Sequence, residues 1–124
     1  MSLVSQLTLA FQAVGAALKA AQLVPINAQT GTTYTLVLAD GGKAVELTNA
    51  SATTLTVPPN SSVAFPVGTV IELDQLGAGQ VTIAAGSGVT IRSAGTLLKL
   101  RAQFSAASLR KQATDTWLLV GDLA

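Results

Sequence analysis

From residue 34 onward the chain consists of short runs in which apolar and polar side chains alternate, each closed by Gly, Pro, Asn or Asp. Successive side chains of a strand point to opposite faces, so alternation over a few residues marks a half-buried β-strand. Tyr34, Leu36 and Leu38 alternate with Thr35, Val37 and Ala39, and Asp40-Gly-Gly42 then reads as a tight hairpin turn. Val45 and Leu47 alternate with Glu46 and Thr48. Leu55 and Val57 alternate with Thr54 and Thr56, before Pro58-Pro59-Asn60 ends the run. Ile71, Leu73 and Gln75 alternate with Val70, Glu72 and Asp74; Val81 and Ile83 lie between Gly77-Ala-Gly79 and Gly86-Ser-Gly88. Val89 and Ile91 follow, then Leu98 and Leu100 against Lys99 and Arg101. Phe104 to Lys111 is a further strand, and Thr116 to Val120 the last, with Trp117 and Leu119 on one face. Roughly eight to ten short strands at such spacing predict a mainly β fold, a jelly-roll-like β-sandwich or a barrel.

The first 24 residues obey a different period. Val4, Leu7, Phe11, Val14, Leu18 and Ala21 are spaced 3-4-3-4-3, the apolar seam of a heptad helix. Leu3, Ala10 and Ala17 widen the stripe with mostly small side chains. Ser2 suits the N-cap and Pro25 ends the helix, because a residue before proline is pushed out of helical geometry. Such a helix is about 33 Å long. Its sole charge is Lys19, so the stripe requires a partner. The stretch Pro25 to Thr33 is polar, small and punctuated, and reads as a linker. The expected organisation is an N-terminal helix (1–24), a linker (25–33) and a β knob (34–124), with the helix packing on the chain's own sheet or, as the linker after it favours, on the same helix of neighbouring subunits.

Charge is scarce. There are 7 basic and 6 acidic residues, 10% of the chain, against roughly 25% in an ordinary soluble domain. A monomer of this size exposes on the order of 6,000 Å², which so few charges dress thinly, and much of that surface is expected to be covered by copies of the same chain. A net charge of +1 gives no general attraction to nucleic acid or anionic lipid. No basic n-region precedes an apolar run of secretory type, and no run is long enough for a membrane span. The absence of His and Cys excludes His- or Cys-built zinc sites, thiol catalysis, disulfides and Ser–His relays. The charges are segregated. Asp40, Glu46, Glu72 and Asp74 precede residue 75, whereas Arg92, Lys99, Arg101, Arg110 and Lys111 fall in a stretch without acids. That basic block reads either as solvated strand positions or as a face docking onto an acidic partner surface.

Candidate chemistry is sparse. Glu72 and Asp74, two apart on a strand, point to one side, but calcium wants more oxygen ligands than this stretch supplies. Gly77-Ala-Gly79 lacks the third glycine of a dinucleotide loop, since Thr82 stands there, and reads as turn glycines. Asn49-Ala-Ser51 and Asn60-Ser-Ser62 match the glycosylation sequon in loops rich in Ser and Thr. Ser105, Ser108 and Lys111 form a serine–lysine pair on paper only, without a nucleophile elbow. No enzyme and no cofactor are expected. Phe11 belongs to the helical seam, and Tyr34, Phe65, Phe104 and Trp117 are expected in the core.

The run from Thr53 through Val57-Pro-Pro-Asn60 to Phe65-Pro-Val-Gly-Thr69 resembles a β module of tailed-bacteriophage virion proteins, best known at tail-fibre ends. So do Gly77 to Ile83, Gly86 to Ile91 and the closing Thr114-Asp-Thr-Trp-Leu-Leu-Val-Gly-Asp122. The helix segment Ala10 to Lys19 is similar to short helical linkers of phage fibre proteins, with Ala17 where an Asp is common. The resemblance covers most of residues 34–122. It implies a homotrimer with helices bundled on the threefold axis and β domains forming a knob, located in the virion. Read as a whole gene product, one helix and one knob suit a capsid decoration (cement or head-fibre) protein that binds the major capsid protein or another virion protein. The second expectation is a tail-fibre or receptor-binding tip that engages a host cell-surface receptor.

Overall fold

The structure, a computed structural model, describes residues 2–124, and in the helix the side chains of all but residues 17–22. Helix α1 (Leu3–Gln22) is followed by strands β1 (Ile26–Gln29), β2 (Thr33–Thr35), β3 (Ala44–Leu47), β4 (Thr53–Val57), β5 (Val70–Gln75), β6 (Val81–Ala85), β7 (Thr90–Ser93), β8 (Ala106–Ala113) and β9 (Thr116–Gly121). The mainly β fold with one N-terminal helix is thus present. The Ser2 side chain caps the helix, its Oγ accepting the Ser5 N–H at 3.2 Å.

The strands form two sheets, ordered β1-β3-β5-β8-β9-β7 and β2-β4-β6. Their inward side chains share one core, in which Val45, Leu47, Leu55, Val57, Ile71, Leu73, Val81, Ile83 and Leu119 are fully or almost fully buried. The two layers agree with a sandwich; the connectivity does not agree with a jelly roll or a barrel. β1, β3 and β5 pair in parallel, as do β2, β4 and β6. The chain alternates between the sheets at each step, so β1–β2, β3–β4 and β5–β6 are three stacked coils of a short solenoid. Among the strands, antiparallel pairing enters with the hairpin β8–β9, inserted between β5 and β7. Asp40-Gly-Gly42 therefore makes no hairpin. The chain leaves β2 after Thr35, passes through a single 3-10 turn at Leu38–Asp40 and crosses to the other sheet.

The coils stack most tightly at one corner. Asn49 donates its side-chain N–H to the Thr30 carbonyl below, at 2.9 Å. Above, Gly77 and Gly79 donate to the carbonyls of Leu47 and Asn49. These glycines sit where they do because no side chain fits: a Cβ on Gly79 would lie 1.8 Å from the Ser51 carbonyl oxygen, and one on Gly77 2.2 Å from that of Asn49. Buried Gln75 locks the same corner, its Oε1 accepting the Val81 N–H at 3.0 Å.

Both ends of the core are closed. Residues 98–100 cover the β6 edge, with Leu100 N–H on the Val81 carbonyl and Ile83 N–H on that of Leu98. At the other end the stretch expected as a linker holds β1 and the start of β2. Its inward side chains, Asn27 and Gln29, are polar, and with Tyr34 and Asp40 they form a hydrogen-bonded lid on the first coil. A polar end layer is what a solenoid needs where stacking stops.

Candidate functional site

Among the described residues there is no cavity to take a ligand, no group of three or more acids close enough to hold a metal ion, and no helix long and apolar enough to cross a membrane. Three surfaces stand out.

The first is α1. Residues 2–16 are exposed throughout, so the helix lays no described face on its own β domain. Val4, Leu7, Phe11 and Val14 are 73, 51, 75 and 57% exposed. The other two seam residues, Leu18 and Ala21, lie outside the described side chains. Leu23, Val24 and Ile26 extend the exposed apolar surface to the first strand.

The second is the outer face of the large sheet, where the alternation of the strands puts five charged side chains, Glu46, Glu72, Asp74, Arg92 and Arg110. Glu46 on β3 stands beside Asp74 on β5, and Glu72 lies two residues from Asp74. Burial first, then the charges of Glu46 and Glu72, hold the Asp74 carboxyl above its ordinary range. Glu72 accepts a hydrogen bond from Ser108 at 2.8 Å. On the other half of the sheet, Arg110 on β8 and Arg92 on β7 flank Leu118, and Arg92 donates to Gln112 at 3.3 Å. The outer face of the small sheet is the opposite in character. Thr33, Thr54 and Thr82 stand in register, as do Thr35, Thr56 and Ala84, giving a flat uncharged array with Lys99 beside Thr82.

The basic block is therefore not one face. Arg92 and Arg110 share the large sheet, and Lys99 lies by the small one. Arg101 is held in a bidentate pair with Asp122, at 2.7 and 2.9 Å. That guanidinium and then the Ser105 hydroxyl, which donates to Asp122 at 2.7 Å, keep the Asp122 carboxyl below the usual carboxylate range. Lys111 is in the core, 3% exposed. Its Nζ donates to the Asn60 Oδ1 at 2.6 Å and to the Phe65 carbonyl at 2.7 Å, and lies 5.9 Å from the centre of the Trp117 ring. A lysine so placed ties the 58–69 loop to β8, because two oxygens that would otherwise be buried without donors are satisfied by one ammonium. Ser105, Ser108 and Lys111 each bond elsewhere and form no catalytic pair. Both sequon asparagines are likewise engaged, Asn49 with Thr30 and Asn60 with Lys111.

Phe65 and Trp117 pack edge to face in the core, as expected, with centroids 5.4 Å apart. Phe104 does not. It precedes β8, carries a left-handed backbone (φ 69°) and is 75% exposed. Bulky residues avoid that conformation, and the loop is held in it by Phe104 N–H on the Gln75 carbonyl, Gln103 on the Leu76 carbonyl and Ser105 on Asp122. A strained backbone displaying an aromatic ring to solvent is a feature that sequence parity gave no sign of.

In the end lid, Tyr34 donates to Asp40 Oδ2 at 2.7 Å, Asn27 donates to Oδ1 at 2.8 Å, and the Val37 N–H donates to Oδ2 at 2.9 Å. Burial, the hydrogen bond to Asp40 and its negative charge push the Tyr34 hydroxyl up to about 12. Because the folded value lies above the unfolded one, this group's contribution is complete below pH 10 and is lost as pH rises toward 12. Denaturation followed at pH 9 and pH 11.5 is expected to show an alkaline loss of stability that Tyr34→Phe makes shallower; an equal loss in both proteins would contradict the assignment.

Neither family models nor curated proteins match the sequence of this chain.

Proposed function

We propose that the chain is a structural protein of a tailed-phage virion, a homotrimer held by α1 and serving as a capsid decoration (cement or head-fibre) protein on the outer capsid surface. The observation that carries the reading is the unpartnered apolar seam: Val4, Leu7, Phe11 and Val14 line one stripe of a helix whose residues 2–16 are all exposed. Burial of a large apolar side chain is worth about 1.5–3 kcal/mol, so three such stripes meeting on an axis supply a stable bundle. The compact knob supports a scaffolding task, since its core is closed at both ends. The resemblance of residues 34–122 to phage virion modules supplies the setting. The partners in this reading are two further copies of the chain and the major capsid protein or another virion protein, and no catalytic role is assigned.

Light scattering coupled to size exclusion is expected to give three times the 12.5 kDa of the chain. Leu7→Asp with Phe11→Asp is expected to yield folded monomers, because charges in a heptad seam find no partners. A wild-type monomer at micromolar concentration overturns the trimer; an unchanged trimer in the double variant moves the assembly contact out of the helix. Copies per purified virion, counted by mass spectrometry, decide the role. Numbers comparable to the capsid subunits mean decoration.

One observation favours the second reading, a trimeric tail-fibre or receptor-binding tip. Exposed aromatic side chains are over-represented where proteins recognise partners, and Phe104 is exposed on a strained, well-braced loop. A few copies per virion, with binding of the isolated trimer to host cells, would establish that reading over decoration.

A further inference from the structure

The charges on the outer face of the large sheet are divided by halves. In the strand order β1-β3-β5-β8-β9-β7, Glu46, Glu72 and Asp74 stand on β3 and β5, and Arg110 and Arg92 stand on β8 and β7. The acids are neighbours on β3 and β5, half-buried and without a basic partner among the described residues, whose only ion pair is Arg101–Asp122 on another part of the surface. The arginines are exposed and likewise without a carboxylate. Between and beside them the face is small or apolar: Ala106, Val70, Leu118 and Val120. Random scatter of five charges over a solvated sheet would mix the signs. A face that must meet itself has a reason to separate them.

A threefold axis supplies that reason. When three sheets stand around an axis with their outer faces inward, the left half of each meets the right half of the next, and the same seam repeats three times. We infer that the outer face of the six-stranded sheet is the contact between copies of this chain, with Glu46, Glu72 and Asp74 of one protomer set against the arginines at positions 92 and 110 of the next. The inference rests on the trimer proposed above and deepens it by naming the surface through which the β domains join. Each seam sets the three acids of one half against the two arginines of the other, so the arginines gain carboxylates and the acid cluster gains cations. Asp74, its carboxyl held up by burial and then by the charges of Glu46 and Glu72, stands where an approaching guanidinium would offset those two like charges. The small sheet, flat and uncharged on its outer Thr face, carries nothing to set the register of such a contact.

The test uses the full chain and three variants, with mass by light scattering and fold by circular dichroism. Arg92→Glu with Arg110→Glu makes the whole face acidic; Glu46→Lys with Asp74→Lys makes it basic. Glu72 is left in place because Ser108 is bonded to it. Each half-swapped protein is expected to associate about a hundredfold more weakly than wild type, since like charges facing across an interface cost several kcal/mol. The protein carrying all four substitutions has the pattern inverted yet complementary, and is expected to recover the trimer. Half-swapped variants that stay trimeric at wild-type concentration overturn the face while leaving the trimer standing, as does a fourfold variant that fails to reassemble while folded. A wild-type monomer removes the trimer itself. Should a reversal unfold the chain, Arg92→Gln with Arg110→Gln serves instead: association of the wild type is expected to weaken with added salt and that of the neutral variant to be weaker and nearly salt-independent, and equal salt responses overturn the inference.

Discussion

Replacement of Gly79 by Ala is expected to abolish the native fold or to destabilise it by about 4 kcal/mol or more, the range reserved for severe steric or core defects. The added Cβ would stand 1.8 Å from the Ser51 carbonyl oxygen and 2.3 Å from its carbon. Both are backbone atoms, so no rotamer change relieves the overlap. The only response is to separate the third coil from the second, which breaks the Gly79 N–H bond to the Asn49 carbonyl and the Thr53 N–H bond to that of Gln80. At about 4 °C per kcal/mol for a chain of this size, the melting temperature is expected to fall by about 15 °C. Gly88→Ala is the control. Its backbone is left-handed (φ 78°) but nothing lies within 4 Å of the added carbon, so the cost is the conformational one alone, about 1 kcal/mol. Thermal unfolding that ranks the two variants equally would mean that the corner is not the close-packed seam described.

That corner also shows how far the sequence can be read. Alternation correctly placed Val45 and Leu47, Leu55 and Val57, Ile71 and Leu73, Val81 and Ile83, and Trp117 and Leu119 in the interior. It is silent on pairing direction, because a period of two is the same in parallel and antiparallel ladders. The hairpin expected at Asp40-Gly-Gly42 and the jelly-roll or barrel layout give way to stacked coils for that reason. A signal did exist: Thr33-Tyr-Thr35, Thr54-Leu-Thr56 and Thr82-Ile-Ala84 are one motif repeated, and they lie in register in the small sheet. The 25–33 stretch reads as a linker although it holds β1 and the start of β2, because the inward positions of β1 are Asn27 and Gln29. Hydrophobic periodicity fails where a solenoid ends in polar side chains.

The surfaces were legible in a similar, partial way. The helical seam was visible from spacing alone, and the structure leaves its described part uncovered. The basic block was not one surface, and parity already held the correction. Lys111 shares its side of β8 with Ala107 and Leu109, both buried, whereas Arg110 faces out. Charge argued for solvent, but the side chain's length lets its ammonium reach two oxygens of the 58–69 loop while its stem stays in the core. Phe104 reads as the start of a strand, and no pattern of residue types marks a phenylalanine in left-handed geometry. Only the bracing around it, from Gln75, Gln103 and the Ser105–Asp122 bond, accounts for the conformation.

Asp40→Ala is expected to cost about 3 kcal/mol, read as an urea-denaturation midpoint shift at unchanged slope. Asp40 has no exposed surface, and its two oxygens accept from Tyr34, Asn27 and the Val37 N–H. Truncation leaves all three donors facing a void at the end of the core, and orphaned donors are penalised more than their bonds were worth. Asp40→Asn is expected to be milder, about 1 kcal/mol. Its carbonyl can still take the Val37 N–H and the Tyr34 hydroxyl, and its amide can meet Asn27 once that side chain turns its oxygen round. The turn disturbs the bond from Gln29 to Asn27, which is why some cost remains. The ordering Ala well above Asn follows only if the lid is a connected network. Two variants of equal stability would mean that Asp40 acts through its charge, and a wild-type Asp40→Ala would mean that the first coil is held by its backbone pairing with β3 and β4 alone.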